Sequence, residues 1–223
     1  MDEALLEEAE LAGHSAGTLR FWESPRHAVV LGRSSVSADE VDLAFCEQQG
    51  MAVMRRCSGG ASVVVGPGCL MYSVVLPIEA RPELARIDNA HCFVLQTMLR
   101  GIHTLVPDAT CAGTSDLASD SKKFSGNSLR VKRTHLLYHG TLLYDFPLEL
   151  IQQCLRTAPR QPEYRSGRDH LDFVRNLPIA KAPLQNAIAK AWGANSLRAD
   201  WPRHSTSQLA TSRYLKREWN LAR

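Results

Sequence analysis

Long apolar runs are missing from this 223-residue chain. No stretch approaches the ~18 consecutive apolar residues of a membrane span, so no membrane partner is expected. A basic leader is missing too. The N-terminus, "MDEALLEEAE", is acidic and helix-forming, the reverse of a secretory signal, and a cytoplasmic protein is expected. The six cysteines (46, 57, 69, 92, 111 and 154) form no C-x-x-C pair and no cluster with histidine. That pattern argues against a structural zinc site or a disulfide scaffold and leaves reduced thiols; no metal-ligating set is expected. Neither a Walker A loop nor G-x-G-x-x-G is present, which removes the standard nucleotide fingerprints. The net charge of +3 is too small by itself to argue for nucleic acid.

What is present is the makeup of one globular domain. Hydrophobic residues supply 44% and charged residues 22%, enough apolar material for a full core in a single domain over residues 1–223. Leu5, Leu6 and Leu11 among glutamates predict a helix over 2–12, stopped by Gly13. "TLRFWE" and "HAVVLGR" read as strands separated by Ser24-Pro25. "SADEVDLAFCEQQG" predicts one helix, capped by Ser37, with Glu40 in a capping box and Gly50 past its end. "MAVMRR" is a strand entering a glycine loop, and the β-rich "ASVVVGPGCLMYSVVLP" follows. A long helix is predicted over 83–105, a β region from Pro107 to Asp145, and a helix in "PLELIQQCLRTA". Residues 159–178 read as a charged loop excursion. Two terminal helices close the chain, the second capped by Ser205 or Ser207. Strands and helices mix without βαβ alternation, so the expected class is α+β with a mixed, mainly antiparallel sheet.

Two segments carry chemistry. In "RRCSGGAS" the strand runs out into Arg55, Arg56, Ser58, Gly59 and Gly60, where small residues let backbone N–H groups approach an anion and an arginine can grip it with two donors. A plain turn is the bland alternative. In "SDSKKFSGNS" Lys123 points to the opposite face of its strand from Lys122, and Ser125 and Gly126 leave room beside it. Farther on, His139-Gly140 interrupts an apolar strand; a glycine inside a strand marks close approach by a ligand or another backbone.

Taken together these segments resemble the lipoate–protein ligase family, within the group that also holds biotin ligases and octanoyltransferases. The family's R-R-x-S-G-G-G-A-V-Y-H-D-x-G-N is matched by "RRCSGGASVVVGPGC" at 55–69, N-D-L…K-I-S-G-S-A by "SDLASDSKKFSGNS" at 115–128, and H-H-G-T-L-L by "YHGTLL" at 138–143. "LRFWESPRHAVVLGR" and "RYLKREWN" resemble the family's opening strands and its closing K-Y-x-x-x-x-W-N. Two departures stand out: Ala61 replaces the third glycine, and Val64-Val65-Gly66 replaces aromatic-His-Asp.

The resemblance implies a class II biotin ligase/lipoate ligase-like catalytic domain without a C-terminal accessory domain. It implies an enzyme that joins lipoate or octanoate to ATP, with Mg2+, as an acyl-adenylate and passes the acyl group to a lysine of a lipoyl-acceptor domain. Lys123 would sit between carboxylate and α-phosphate. The implied nucleotide contacts are Arg56, Ala61, Ser62, Val63, Val64, Asp116 and Lys123, with Asp116 either holding magnesium or orienting the lysine. The implied acid contacts are Ser58, Gly59, Gly60, Lys123, Ser125, Gly126, His139 and Gly140; for His139 a structural role is the alternative. A separate accessory protein or a single-domain mode is implied, and no nucleic-acid partner, because no helix-turn-helix fits before residue 13. The competing enzyme is an octanoyltransferase with a cysteine thioester, for which Cys111 is the nucleophile to consider. A non-catalytic lipoyl-domain binder is the third reading.

Overall fold

The computed structural model describes residues 1–157 and 161–222. The first helix, α1, spans Asp2–Ala12 and ends in Gly13, whose φ of 64° is the left-handed cap that glycine adopts without a Cβ penalty. Strands β1 (Thr18–Trp22) and β2 (Ala28–Leu31) follow, then α2 (Ser37–Glu40) and α3 (Leu43–Gln48). The single helix expected here is therefore two. Val41 pairs with Leu155 in a β-bridge between them, and Asp42 restarts the helix by accepting from Phe45 N at 2.8 Å. Val36, not Ser37, is the cap, and Glu40 turns away to Ser62 instead of closing a capping box.

Next come β3 (Ala52–Arg55), β4 (Val63–Val65) and β5 (Cys69–Pro77), then a 3-10 turn and α4 (Ile87–Ile102). Four strands complete the β region: β6 (Thr110–Ala112), β7 (Asp116–Ser119), β8 (Lys122–Val131) and β9 (His135–Leu143). The remaining helices are α5 (Glu149–Cys154), α6 (His170–Phe173), α7 (Lys181–Ala191), α8 (Arg203–Leu209) and α9 (Arg217–Asn220). Pro202 precedes α8, so Ser205 and Ser207 lie inside that helix and cap nothing.

The strands form a six-stranded antiparallel sheet, β1-β5-β9-β8-β7-β6, and a small sheet, β3-β2-β4, whose β2–β3 pair is parallel. This is the α+β class with a mainly antiparallel sheet that the pattern of elements predicts. α4 and α7 cover one face of the large sheet through Val94, Met98, Ile102, Leu184 and Ile188. On the other face α1 buries Leu5, Leu6 and Ala9 against Val75 and Leu137. Strand β5 is covered on both sides, so it reads as a nearly continuous apolar run instead of an alternation. The small sheet packs with α5 and α6 around Val29, Leu31, Val64, Ile151 and Phe173.

The C-terminal segment is tied back to the glycine loop's strand. Arg55 is 2% exposed and donates to Gly32 O and Ser35 O, each at 2.7 Å, and through Nε to Trp219 O at 3.1 Å. Trp219 Nε1 returns a bond to Arg55 O at 3.0 Å. That arginine is a brace, not a ligand-facing group.

Candidate active site

Lys123 is the second residue of β8, which begins directly after the tight turn at Asp120 and Ser121, both at positive φ (49° and 58°). The register with β7 then slips. Leu117 faces Ser125 and Ala118 faces Lys123, leaving Phe124 as an extra residue. Such a bulge breaks strict alternation and re-aims side chains. Lys123, Phe124, Ser125 and Gly126 consequently all line one cavity, of about 130 Å3. Inside it, Lys123 Nζ lies 2.8 Å from Asp116 Oδ1. The other carboxylate oxygen accepts from Tyr164 Oη at 2.8 Å. A Cβ on Gly126 would stand 2.9 Å from Lys123 Cε and Nζ. The glycine vacates the space that the lysine end occupies.

Across the cavity lie Ala61, Ser62, Val63 and Val64, the start of β4 and the loop before it. Glu40 pins this wall, accepting from Ser62 N at 2.8 Å and Ser62 Oγ at 2.7 Å. The two segments singled out in the sequence thus meet at one place. The glycines themselves stay outside. Ser58, Gly59, Gly60, His139 and Gly140 do not line this cavity among the described residues.

Arg56 is turned onto its own loop. It donates to Ser58 Oγ at 3.1 Å, Ala61 O at 3.0 Å and Val30 O at 3.1 Å, and also to Gly59 O. Burial lowers its pKa to about 10, so it stays charged at neutral pH. In this geometry it is a clamp on the glycine loop. Gly60 takes φ 82°, and its carbonyl fills the spot a Cβ on Gly32 would need, 1.7 Å away. Backbone packs on backbone here.

His139 bridges Ser58 Oγ and Asp2 Oδ2, with its Nδ1 3.4 Å from the carboxylate. Although burial pushes the Asp2 carboxyl up, the His139 hydrogen bond and charge, with Arg20, outweigh it and bring the pKa to about 2. Gly140 makes room for a side chain, not for a ligand: its missing Cβ would fall 1.8 Å from Asn127 Oδ1. That oxygen accepts the buried Tyr72 hydroxyl at 2.6 Å.

The cavity's remaining wall comes from the segment read as a loop excursion, of which residues 159 and 160 lie outside the described residues. Arg165, His170, Phe173 and Val174 close the cavity over Lys123. The string "YRSGRDH" held that signal, a tyrosine and two arginines at close spacing around a later buried Phe173, but no local periodicity marked it.

Cys111 is exposed on the edge strand β6, 3.8 Å from Gln96 Nε2, and lines no part of the cavity. Partial burial and the neighbouring Cys92 raise its thiol pKa above the ordinary value, against thiolate reactivity. Among the described residues no three His, Cys, Asp or Glu side chains could hold a metal together. Both Asp116 oxygens are already engaged, which does not fit a resident magnesium. A larger groove of about 1370 Å3 beside β1 contains none of the candidate ligand-contacting residues. Among the described residues no helix is long and apolar enough to cross a membrane.

The family model for the lipoyl protein ligase A/B catalytic domain matches residues 1–181. A putative lipoate-protein ligase A of Aeropyrum pernix is 30% identical over 93% of this chain and 74% of its own length. A probable lipoate-protein ligase A of Mycoplasma pneumoniae is 30% identical over 65% of this chain but only 41% of its own length. The octanoyltransferase LipM of Carboxydothermus hydrogenoformans is 25% identical over 98% of this chain and 91% of its own. Among solved structures, a chain of the bi-partite lipoate protein ligase system of Thermoplasma acidophilum superposes with a TM-score of 0.81 at 21% identity, over 99% of this chain and 91% of that one. Lipoate-protein ligase A bound with ATP gives a TM-score of 0.75 at 21% identity, over 99% and 93%. At those identities the likeness establishes the fold.

Proposed function

We propose, because the chain belongs to the lipoyl protein ligase A/B catalytic domain family, that it is an ATP-dependent lipoate–protein ligase. It activates lipoate or octanoate as the acyl-adenylate and transfers the acyl group to a lysine of a lipoyl-acceptor domain. One observation carries this reading: the Lys123 ammonium, held by Asp116, shares a cavity with Ala61, Ser62, Val63 and Val64.

In the first half-reaction a carboxylate oxygen attacks the α-phosphorus of ATP, and the bond to the pyrophosphate oxygen breaks. Negative charge gathers on the transferring phosphoryl group, where a preplaced cation lowers the barrier most. Lys123 supplies it. Magnesium arrives on the nucleotide's phosphates as part of that substrate. In the second half-reaction the acceptor amine attacks the acyl carbonyl, the C–N bond forms, the bond from the acyl carbon to the bridging phosphate oxygen breaks so that AMP leaves with that oxygen, and the nitrogen gives up a proton to solvent. The same ammonium stabilises the departing phosphate. Arg56 acts through the loop: by clamping the carbonyls of Gly59 and Ala61 it holds the wall against which adenylate and acyl chain lie. Asp116, anchored by Tyr164, sets the direction of Lys123. The likeness to a bi-partite system supports a second protein supplied in trans.

The octanoyltransferase reading is favoured by the match to LipM over nearly the whole of both chains. Lipoate- or octanoate-dependent ATP–pyrophosphate exchange separates the two. Exchange present in the unmodified protein and in Cys111→Ala, and reduced about 100-fold or more in Lys123→Ala, supports the ligase. No exchange, together with octanoyl transfer that needs Cys111, gives the transferase. Neither activity, with lipoyl domains still bound, leaves a binding module.

A further inference from the structure

Two arginines stack on Phe173, and they are used very differently. Arg168 lies 5.3 Å from the ring centroid and spends its guanidinium on three carbonyls, Arg165 O at 3.1 Å, Ser121 O at 3.0 Å and Tyr164 O at 2.8 Å. Arg165 lies 4.9 Å from the same ring, is only 5% exposed, and donates through Nε alone, to Arg168 O at 2.9 Å. Its two terminal amino groups have no hydrogen-bond partner among the described residues. Burial lowers its pKa from the ordinary arginine value, and the nearby Asp169 charge offsets that only in part. A largely buried guanidinium with two amino groups unspent is costly. His170 repeats the pattern. Its Nε2 is buried and unpartnered, on the wall of the same cavity.

The counter-charge is not supplied by the walls. Glu40 is the one carboxylate lining the cavity among the described residues, and its Oε2 is taken up by Ser62. Lys123 is matched by Asp116. The rest of the lining is largely apolar, with Val63, Val64, Leu143, Ile151 and Phe173 prominent. An anion with a hydrocarbon body suits that lining, in which Arg165 and Arg156 stand with Lys123 as the cations and Arg165 is the one stacked on Phe173.

We propose that Arg165, with His170 beside it, is a binding site for the anionic oxygens of the ligand, facing Lys123 across the cavity and fixing the junction at which acid and nucleotide are joined. Those oxygens belong either to the carboxylate of the medium-chain acid or to the nucleotide's phosphate; a planar fork of donors recognises both. This inference rests on the reading of the cavity as the adenylation site, and it adds a second cation that the motif segments do not contain.

Calorimetric titration tests it with three probes, octanoate, ATP and 1-octanol, on the unmodified protein and on Arg165→Met, which keeps the apolar stem. A hydrogen-bonded charge is worth about 10- to 100-fold in affinity. That loss for octanoate, with 1-octanol unchanged, assigns Arg165 to the carboxylate. The same loss for ATP, with octanoate unchanged, assigns it to the phosphate; loss for both assigns it to the shared junction. Should Arg165→Met fail to fold, Arg165→Lys keeps the charge without the fork and is expected to lose about tenfold. A folded variant that binds octanoate and ATP as the unmodified protein does overturns the inference and leaves the ligase reading standing. An unmodified protein that binds neither octanoate nor ATP overturns both.

Discussion

A Cβ at position 140 has nowhere to go. Asn127 Oδ1 occupies that volume at 1.8 Å, held there by the Tyr72 hydroxyl and by Asn127 Nδ2 donating to Ser115 O at 2.7 Å. Overpacking of this kind costs about 1–3 kcal/mol, so Gly140→Ala should lower the urea midpoint accordingly. The cause is specific and can be checked by a cycle: in an Asn127→Ala background the same change should cost clearly less, because the clashing oxygen is gone. Equal costs in the two backgrounds would mean that the glycine is required for some other reason. At the same scale, the chain keeps Lys123 and its small neighbours Ser125 and Gly126 for one steric purpose, since Gly126 leaves open the volume taken by the ammonium end. Residue identity alone pointed there, because small residues next to a lysine are visible without a structure.

At the scale of elements, α1 is joined to parts of the chain far from it in sequence. Glu3, with its side chain 1% exposed, accepts from Arg213 at 2.8 Å and also from Arg130 and Tyr214. One carboxylate thereby links the first helix, strand β8 and the segment between α8 and α9. Removing one partner of a buried charge network costs about 3–5 kcal/mol. Glu3→Ala should therefore destabilise by that order, and amide exchange should speed up together in α1 and in residues 203–220. Loss of protection confined to α1 would contradict the linkage. The bulge at Phe124 belongs to this scale as well. Period-two reasoning puts Lys123 and Phe124 on opposite faces, whereas the slipped register lets four consecutive residues border one cavity. The split of the predicted helix at Val41 has a similar origin: its bridge to Leu155 is a contact with the distant residue that follows α5, and it overrides a favourable local pattern.

For the whole molecule, acid sensitivity follows from Asp2. Its folded pKa of about 2 lies below the ordinary 3.8. A depressed carboxylate contributes stability that is fully present above the unfolded value and is lost as pH falls through the folded one. Stability should therefore decline between about pH 4 and pH 2, by about 2 kcal/mol from this group. Asp2→Asn should flatten that part of the profile of unfolding free energy against pH; an unchanged slope would show that other carboxylates govern it. The same scale explains why half the candidate site was legible in advance. Lys123 was singled out by its residue type beside small neighbours, whereas Asp116, Ala61, Ser62, Val63 and Val64 were implied by the resemblance of the two motif segments to the ligase family. Arg165 and His170 come from a segment without periodicity, brought over the cavity by the packing of Phe173. Arg56 carries the right charge, yet in the fold that charge is directed at the loop's own carbonyls.

The sequence by itself determined most of the elements, the α+β class and the two segments that carry the chemistry, because apolar period and glycine placement act locally. Only the tertiary structure decided which side chains border the cavity, since a bulge, an over-folded segment and a buried guanidinium with unspent donors depend on contacts between residues far apart in the chain.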